Sequence, residues 1–97
     1  MGVMDITDPE ESGFHPERLA RIGTFLEESY VRPGLLPNMQ VVVARNGKPV
    51  YHAKSGTLTG DQSGDALPDN ALFRIASMTK PVTSIAFMQL VEQCKVA

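Results

Sequence analysis

The chain has 97 residues, enough for one small domain at most, and 42% of them are hydrophobic and 21% charged. The formal net charge is -2 and the nine lysines and arginines are scattered, which argues against a nucleic-acid partner. A single cysteine, Cys94, excludes an internal disulfide. No apolar run approaches the length of a membrane span, and the first residues lack the basic and apolar regions of a secretory signal. We therefore expect a cytoplasmic protein without a membrane partner.

The first predicted elements are an extended lead-in and an amphipathic helix. We predict that residues 1–14 are extended and that Pro16 opens the helix, since a proline N–H is not needed in the first turn. Pro33 and Gly34 end this helix. Apolar residues recur on one face at helical spacing, namely Leu19, Ile22, Leu26 and Tyr30, with Phe25 beside them. The helix is thus expected to lie on another element.

A β-hairpin follows. Residues 39–45 contain three consecutive valines and predict a strand, and residues 50–54 predict its return partner. Asn46-Gly47 lies between them and favours a type I′ turn, because both central residues of that turn need positive φ. Residues 55–71 are rich in Gly, Asp, Ser and Thr and predict a long irregular loop. Loops of that length in compact domains are often functional.

The last part of the chain predicts a third extended piece, over residues 72–76, and a helix over residues 78–93. Apolar side chains cover almost the whole circumference of this helix, which is typical of a helix buried on all sides. The preceding elements could cover only one side of it. We therefore expect residues 1–97 to be an incomplete domain, whose fold is completed by a second chain or by a missing C-terminal part.

Ser77 and Lys80 form an S-x-x-K motif at the start of the last helix. A serine hydroxyl becomes a good nucleophile when a neighbouring base takes its proton, and a lysine three residues along a helix lies on the same face. The lysine must itself lose a proton to act as that base, which burial against the apolar helix would favour. The residues alone leave two interpretations open: a catalytic pair, or a plain serine N-cap followed by an exposed lysine.

The remaining candidates point to structural roles. His15 precedes Pro16 and is expected at an N-cap, His52 is expected on the hairpin surface, and Cys94 is expected to be packed near a helix end. Tyr30 and Tyr51 are expected in or beside the core. The sequence holds no metal-ligand cluster, no G-x-G-x-x-G and no Walker loop, so we expect neither a metal nor another cofactor.

The segment around Ser77 resembles the first catalytic motif of the serine β-lactamase-related hydrolases. The resemblance is closest to the family VIII carboxylesterases, which are similar to class C β-lactamases and share the letters S-M-T-K. It rests on residues 73–84 and 88–92, and upstream on residues 13–19, the Pro-Gly, the valine-rich strand and the Gly-Lys hairpin. It extends over essentially the whole chain and corresponds to the N-terminal quarter or so of a family member.

This resemblance implies an α+β fold of the β-lactamase/transpeptidase type, an antiparallel sheet flanked by helices, of which only the N-terminal portion is present. It implies that Ser77 is the acylated nucleophile, that Lys80 is its base or proton shuttle, and that the Ser77 N–H is half of an oxyanion hole. The family's tyrosine motif and late-strand motif would lie beyond Ala97. Cys94 stands where family members usually carry a glycine, which would permit a left-handed helix cap.

The sequence therefore predicts a serine hydrolase that takes small-molecule carboxylic esters through an acyl-enzyme. A β-lactamase or a D-amino-acid peptidase is the alternative within the same chemistry. The late strand that would distinguish these activities is expected beyond Ala97, so residues 1–97 do not decide between them. A non-catalytic truncated or split-chain scaffold is the alternative of another class, and the isolated 97 residues are expected to be inactive without the rest of the fold.

Overall fold

The computed structural model describes residues 5–61 and 63–97. Helix α1 (Pro16–Leu26) is followed by strands β1 (Asn38–Arg45) and β2 (Lys48–Gly56) and then by helix α2 (Thr79–Glu92). The strands form an antiparallel two-stranded sheet. Two helices and an antiparallel hairpin make a partial α+β arrangement.

Helix α1 begins at the predicted proline. His15 occupies the N-cap position with an extended backbone, but its side chain makes no capping hydrogen bond. The helix continues through a π-helical turn, Glu27–Val31, before Pro33 and Gly34. The lead-in differs from the prediction, because Glu10–Ser12 forms a 3-10 turn that ends at Gly13 with φ 86°. Residues 1–4 of the predicted lead-in lie outside the described residues.

Helix α1 packs on β2 at a glycine. The Gly23 N–H donates a hydrogen bond to the Tyr51 hydroxyl at 3.0 Å, and a Cβ at position 23 would run into that same oxygen. Tyr51 therefore occupies the semi-core position predicted for it. Tyr30 is 38% exposed and meets the Phe25 ring edge-on, with the ring centroids 5.9 Å apart.

The hairpin turn adopts the predicted geometry, with φ 53° at Asn46 and φ 76° at Gly47. The ladder is irregular just beyond it: Val43 pairs with Tyr51, whereas Ala44 pairs with Pro49. Val50 is thus the extra residue of a β-bulge. Its side chain is 1% exposed and lies in a small apolar core together with Leu19 and Leu67.

The loop after β2 returns to the strand that it leaves. Thr57 bridges to Ala66, and the Leu67 N–H donates to the Gly56 carbonyl at 3.2 Å. Gly56 belongs to β2, so the irregular loop begins two residues later than predicted.

The extended piece predicted over residues 72–76 is not a strand. An isolated extended segment is stabilised by pairing with a strand edge, and within the described ranges no strand pairs with it. Every residue from Leu72 to Leu90 is exposed, and α2 contains no buried residue. The predicted helix is therefore present, while its apolar surface is uncovered by the described residues. In the described parts of the chain, no helix combines the length and the hydrophobicity of a transmembrane segment.

Candidate active site

Ser77 lies in a tight turn in front of α2. Residues Ala76–Met78 form one 3-10 turn, and the Met78 N–H donates to the Ile75 carbonyl at 3.0 Å. Ala76 enters this turn with φ 48°, a left-handed conformation that disfavours residues with a Cβ. Strained backbone of this kind clusters at active sites and switch regions. The residue before the proposed nucleophile is thus held in an unfavourable conformation.

Lys80 lies in the first turn of α2, and Pro81 follows it. Residues at i and i+3 are nearly eclipsed in a 3-10 turn and adjacent in an α-helix, so the backbone places Ser77 and Lys80 on the same side. Both residues are exposed. Among the described residues no hydrogen bond joins the Ser77 hydroxyl to the Lys80 ammonium group, so the backbone aligns the pair without a hydrogen bond between them. The desolvation that a lysine base needs is not supplied by these residues.

The histidines occupy other elements. His15 is exposed at the start of α1. His52 is half-buried on β2, and its Nε2 lies 3.1 Å from the Gln40 Oε1 on the neighbouring strand. His15 keeps the expected N-cap position, whereas His52 lies on the hairpin as expected but is half-buried instead of on its surface.

Cys94 is exposed, so the expectation that it would be packed is wrong for these residues. Its φ is 59°, the left-handed cap conformation that a glycine would adopt without strain. The Cys94 N–H donates to Val91 and the Lys95 N–H to Leu90, both at 2.9 Å, which is the pair of bonds of a Schellman motif. Because the thiol belongs to the cap residue of a helix with no buried residue, it has nothing to pack against in the part of the chain that the structure describes.

An ion pair that the sequence analysis did not identify lies beside the loop. The Lys54 Nζ is 2.8 Å from the Asp69 Oδ1 and donates to the Leu67 carbonyl, also at 2.8 Å. The hydrogen bond from Lys54 holds the pKa of the Asp69 carboxyl below its ordinary value, although desolvation acts in the opposite direction. The two residues are distant in sequence, and no short-range signal marks them as partners.

The chain is similar to known proteins over most of its length. The family model described as Beta-lactamase matches residues 26–97, which include Ser77 and Lys80. Esterase EstB of Burkholderia gladioli is 31% identical over 78 residues, which are 80% of this chain and 19% of that protein. The chain thus spans about a fifth of the length of this curated relative, and its α+β elements fit the N-terminal part of the family fold. This chain belongs to the Beta-lactamase family.

Proposed function

We propose that the complete protein is a serine hydrolase that acts on carboxylic esters through an acyl-enzyme on Ser77. The observation that carries the proposal is the position of the S-M-T-K segment: it spans the turn and the start of α2 inside the matched range 26–97. The name of the relative, Esterase EstB, supports ester rather than amide substrates.

The reaction has two steps. The Ser77 Oγ attacks the ester carbonyl while its proton passes to the Lys80 amine, and collapse of the tetrahedral intermediate expels the alcohol, which leaves with that proton. Water then attacks the acyl-enzyme, releases the carboxylic acid and returns a proton to the Ser77 oxygen. The family resemblance implies that the Ser77 N–H is half of an oxyanion hole. This N–H would bind the negatively charged oxygen of each intermediate.

The proposed reaction requires more polypeptide than residues 1–97. The apolar surface of α2 is exposed, including Val82, Ile85 and Met88, each more than half exposed. Apolar patches of this kind mark surfaces that other polypeptide covers. We infer that a further part of the protein, or a second chain, packs on α2, removes water from Lys80 and contributes the second oxyanion donor.

A phosphonate ester probe tests the proposal in the complete polypeptide. Exact-mass analysis should find one adduct, on Ser77, and Ser77→Ala should abolish it. Ser84→Ala is the matched control, because Ser84 is an exposed serine of α2 that lies seven residues after Ser77. Lys80→Met should slow labelling by about 10²–10⁴-fold, the usual contribution of a general base, whereas Lys95→Met should leave the rate unchanged. An adduct elsewhere in an active enzyme would refute the assignment.

A β-lactamase or D-amino-acid peptidase activity is the second candidate, and the description of the matching family model, Beta-lactamase, favours the first of these two activities. The same preparation should be assayed with a p-nitrophenyl ester, a chromogenic cephalosporin and a D-alanyl peptide. Faster turnover of either amide would replace the ester assignment while keeping Ser77. Ester hydrolysis by residues 1–97 alone would contradict the need for further polypeptide, and an inactive complete protein would favour a scaffold role.

A further inference from the structure

The side chain of Lys54 joins strand β2 to the returning end of the loop. Its Nζ contacts two groups on that end, the Leu67 carbonyl and the Asp69 carboxylate, each at 2.8 Å. A single ammonium group therefore fixes both a backbone and a side-chain acceptor. Charge-assisted hydrogen bonds of this length are about twice as strong as neutral ones.

This contact differs from the other ion pair of the described residues. Glu28 and Arg32 lie 3.9 Å apart on one exposed helix face, with side chains 58% and 66% exposed. Exposed helix pairs of that kind contribute about 0.3–0.5 kcal/mol. The side chains of Lys54 and Asp69 are only 37% and 29% exposed, and their partners belong to different segments of the chain.

The Lys54 contact adds to a segment, residues 67–69 (the anchor), that is already held by a buried apolar side chain. Leu67 is 2% exposed, and its N–H is bonded to the Gly56 carbonyl at 3.2 Å. One further backbone bond, from the Ala71 N–H to the Pro68 carbonyl at 3.2 Å, closes a turn directly after Leu67. Residues 67–69 therefore form the point from which the chain leads towards Ser77.

Beyond that anchor the chain has little support of its own. Residues 72–90 are all exposed, and the strand predicted for residues 72–76 does not form. Asp69 is eight residues before Ser77. Within the described residues, the anchor is therefore the last fixed point of the chain before Ser77.

We propose that Lys54 and Asp69 are positioning residues for Ser77. This inference rests on the proposed hydrolase function: the ion pair sets where the segment carrying the nucleophile leaves the sheet, and neither side chain touches the substrate. A misplacement of about 1 Å can lower an enzymatic rate about 10²-fold. Loss of the pair should therefore slow the acylation of Ser77 while the protein stays folded.

The test uses Lys54→Met and Asp69→Asn in the complete polypeptide, with Glu28→Gln as the matched ion-pair control. The rate and the end point of phosphonate labelling at Ser77 are measured, together with hydrogen exchange of residues 57–74 by mass spectrometry. We expect both variants to label at least about 10-fold more slowly, still reaching one adduct per chain, with faster exchange in this segment. Lys54→Arg, which keeps both hydrogen bonds, should restore most of the rate.

Each other outcome contradicts the inference in a recognisable way. An unchanged labelling rate in both variants refutes positioning while the hydrolase proposal stands. A lower end point at an unchanged rate shows that the pair only keeps the protein folded. If the unaltered protein does not label at Ser77, the proposed function fails and the positioning role fails with it. If hydrogen exchange of residues 57–74 is also unchanged in the Lys54 and Asp69 variants, the ion pair does not fix this segment either.

Discussion

The contact between Gly23 and Tyr51 predicts that adding one methyl group to α1 destabilises the protein. On a helix interior, Gly→Ala ordinarily stabilises by about 0.8–1 kcal/mol. Here the added Cβ would meet the Tyr51 hydroxyl and lie 3.2 Å from the Ala53 Cβ. Overpacking of a well-packed contact costs about 1–3 kcal/mol. We therefore expect Gly23→Ala to lower the free energy of unfolding, a reversal of the helix-propensity effect.

A double-mutant cycle separates the two contributions. Tyr51→Phe removes the hydroxyl and its 3.0 Å bond to the Gly23 N–H, at a cost of about 1 kcal/mol. In that background the oxygen that obstructs the new Cβ is gone, while the Ala53 contact remains. Gly23→Ala should then be close to neutral. The coupling between the two positions should be about 1–2 kcal/mol, within the range for residues in contact.

Urea unfolding followed by far-UV circular dichroism measures all four proteins of the cycle. Arg21→Ala, at an exposed position of α1 with nearly the helix propensity of alanine, is the control and should change stability by less than about 0.5 kcal/mol. If Gly23→Ala stabilises the protein with Tyr51 intact, or costs the same in both backgrounds, helix α1 does not rest on the tyrosine hydroxyl.

Three further predictions follow from the backbone and the charges. Cys94→Gly should slow hydrogen exchange of the Lys95 amide, because a glycine adopts the left-handed conformation without the strain of about 1 kcal/mol that a side chain causes. Equal slowing in Cys94→Ala would contradict this explanation. Ala76→Pro should slow Ser77 labelling at least about 10-fold because it locks φ near -65°, far from the observed 48°, while Ala76→Gly should retain the rate. The lowered pKa of Asp69 means that its ion pair stabilises the loop above the carboxyl's ordinary value of 3.8 and is lost as the pH falls through the lowered value. The Leu67 amide NMR shift should therefore titrate below pH 3.8, and Asp69→Asn should remove that titration.

Elements with strong local signals were predictable from the sequence. Pro16 marks the start of α1 because a first-turn proline loses no hydrogen bond, and Asn46-Gly47 marks the hairpin because its geometry demands positive φ. The helix after Ser77 was predicted within one residue at each end. The family was recognisable from the residues around Ser77, and the family-model match confirms it.

Features that depend on distant residues were not predictable in this way. Residues 72–76 have the composition of a strand, but a strand forms only where an edge is available to pair with it. The Lys54–Asp69 pair depends on how the loop returns to β2. The expectation that Cys94 would be packed assumed a covered helix, and the described residues leave that helix exposed. The roles of Ser77 and Lys80 remain predictions.

The bulge at Val50 determines where this domain can tolerate a change in length. Deleting one residue between Lys48 and Tyr51 would restore regular pairing but would withdraw the most buried side chain from the core. Adding a residue would shift every later β2 side chain to the opposite face of the sheet. Insertions are instead accommodated after the hairpin, next to the exposed residues 59–61 and 63–64 of the loop, where the bridge between Thr57 and Ala66 keeps the two ends together. Natural length variation among relatives should therefore concentrate there, and an affinity tag placed there should leave the hairpin register unchanged.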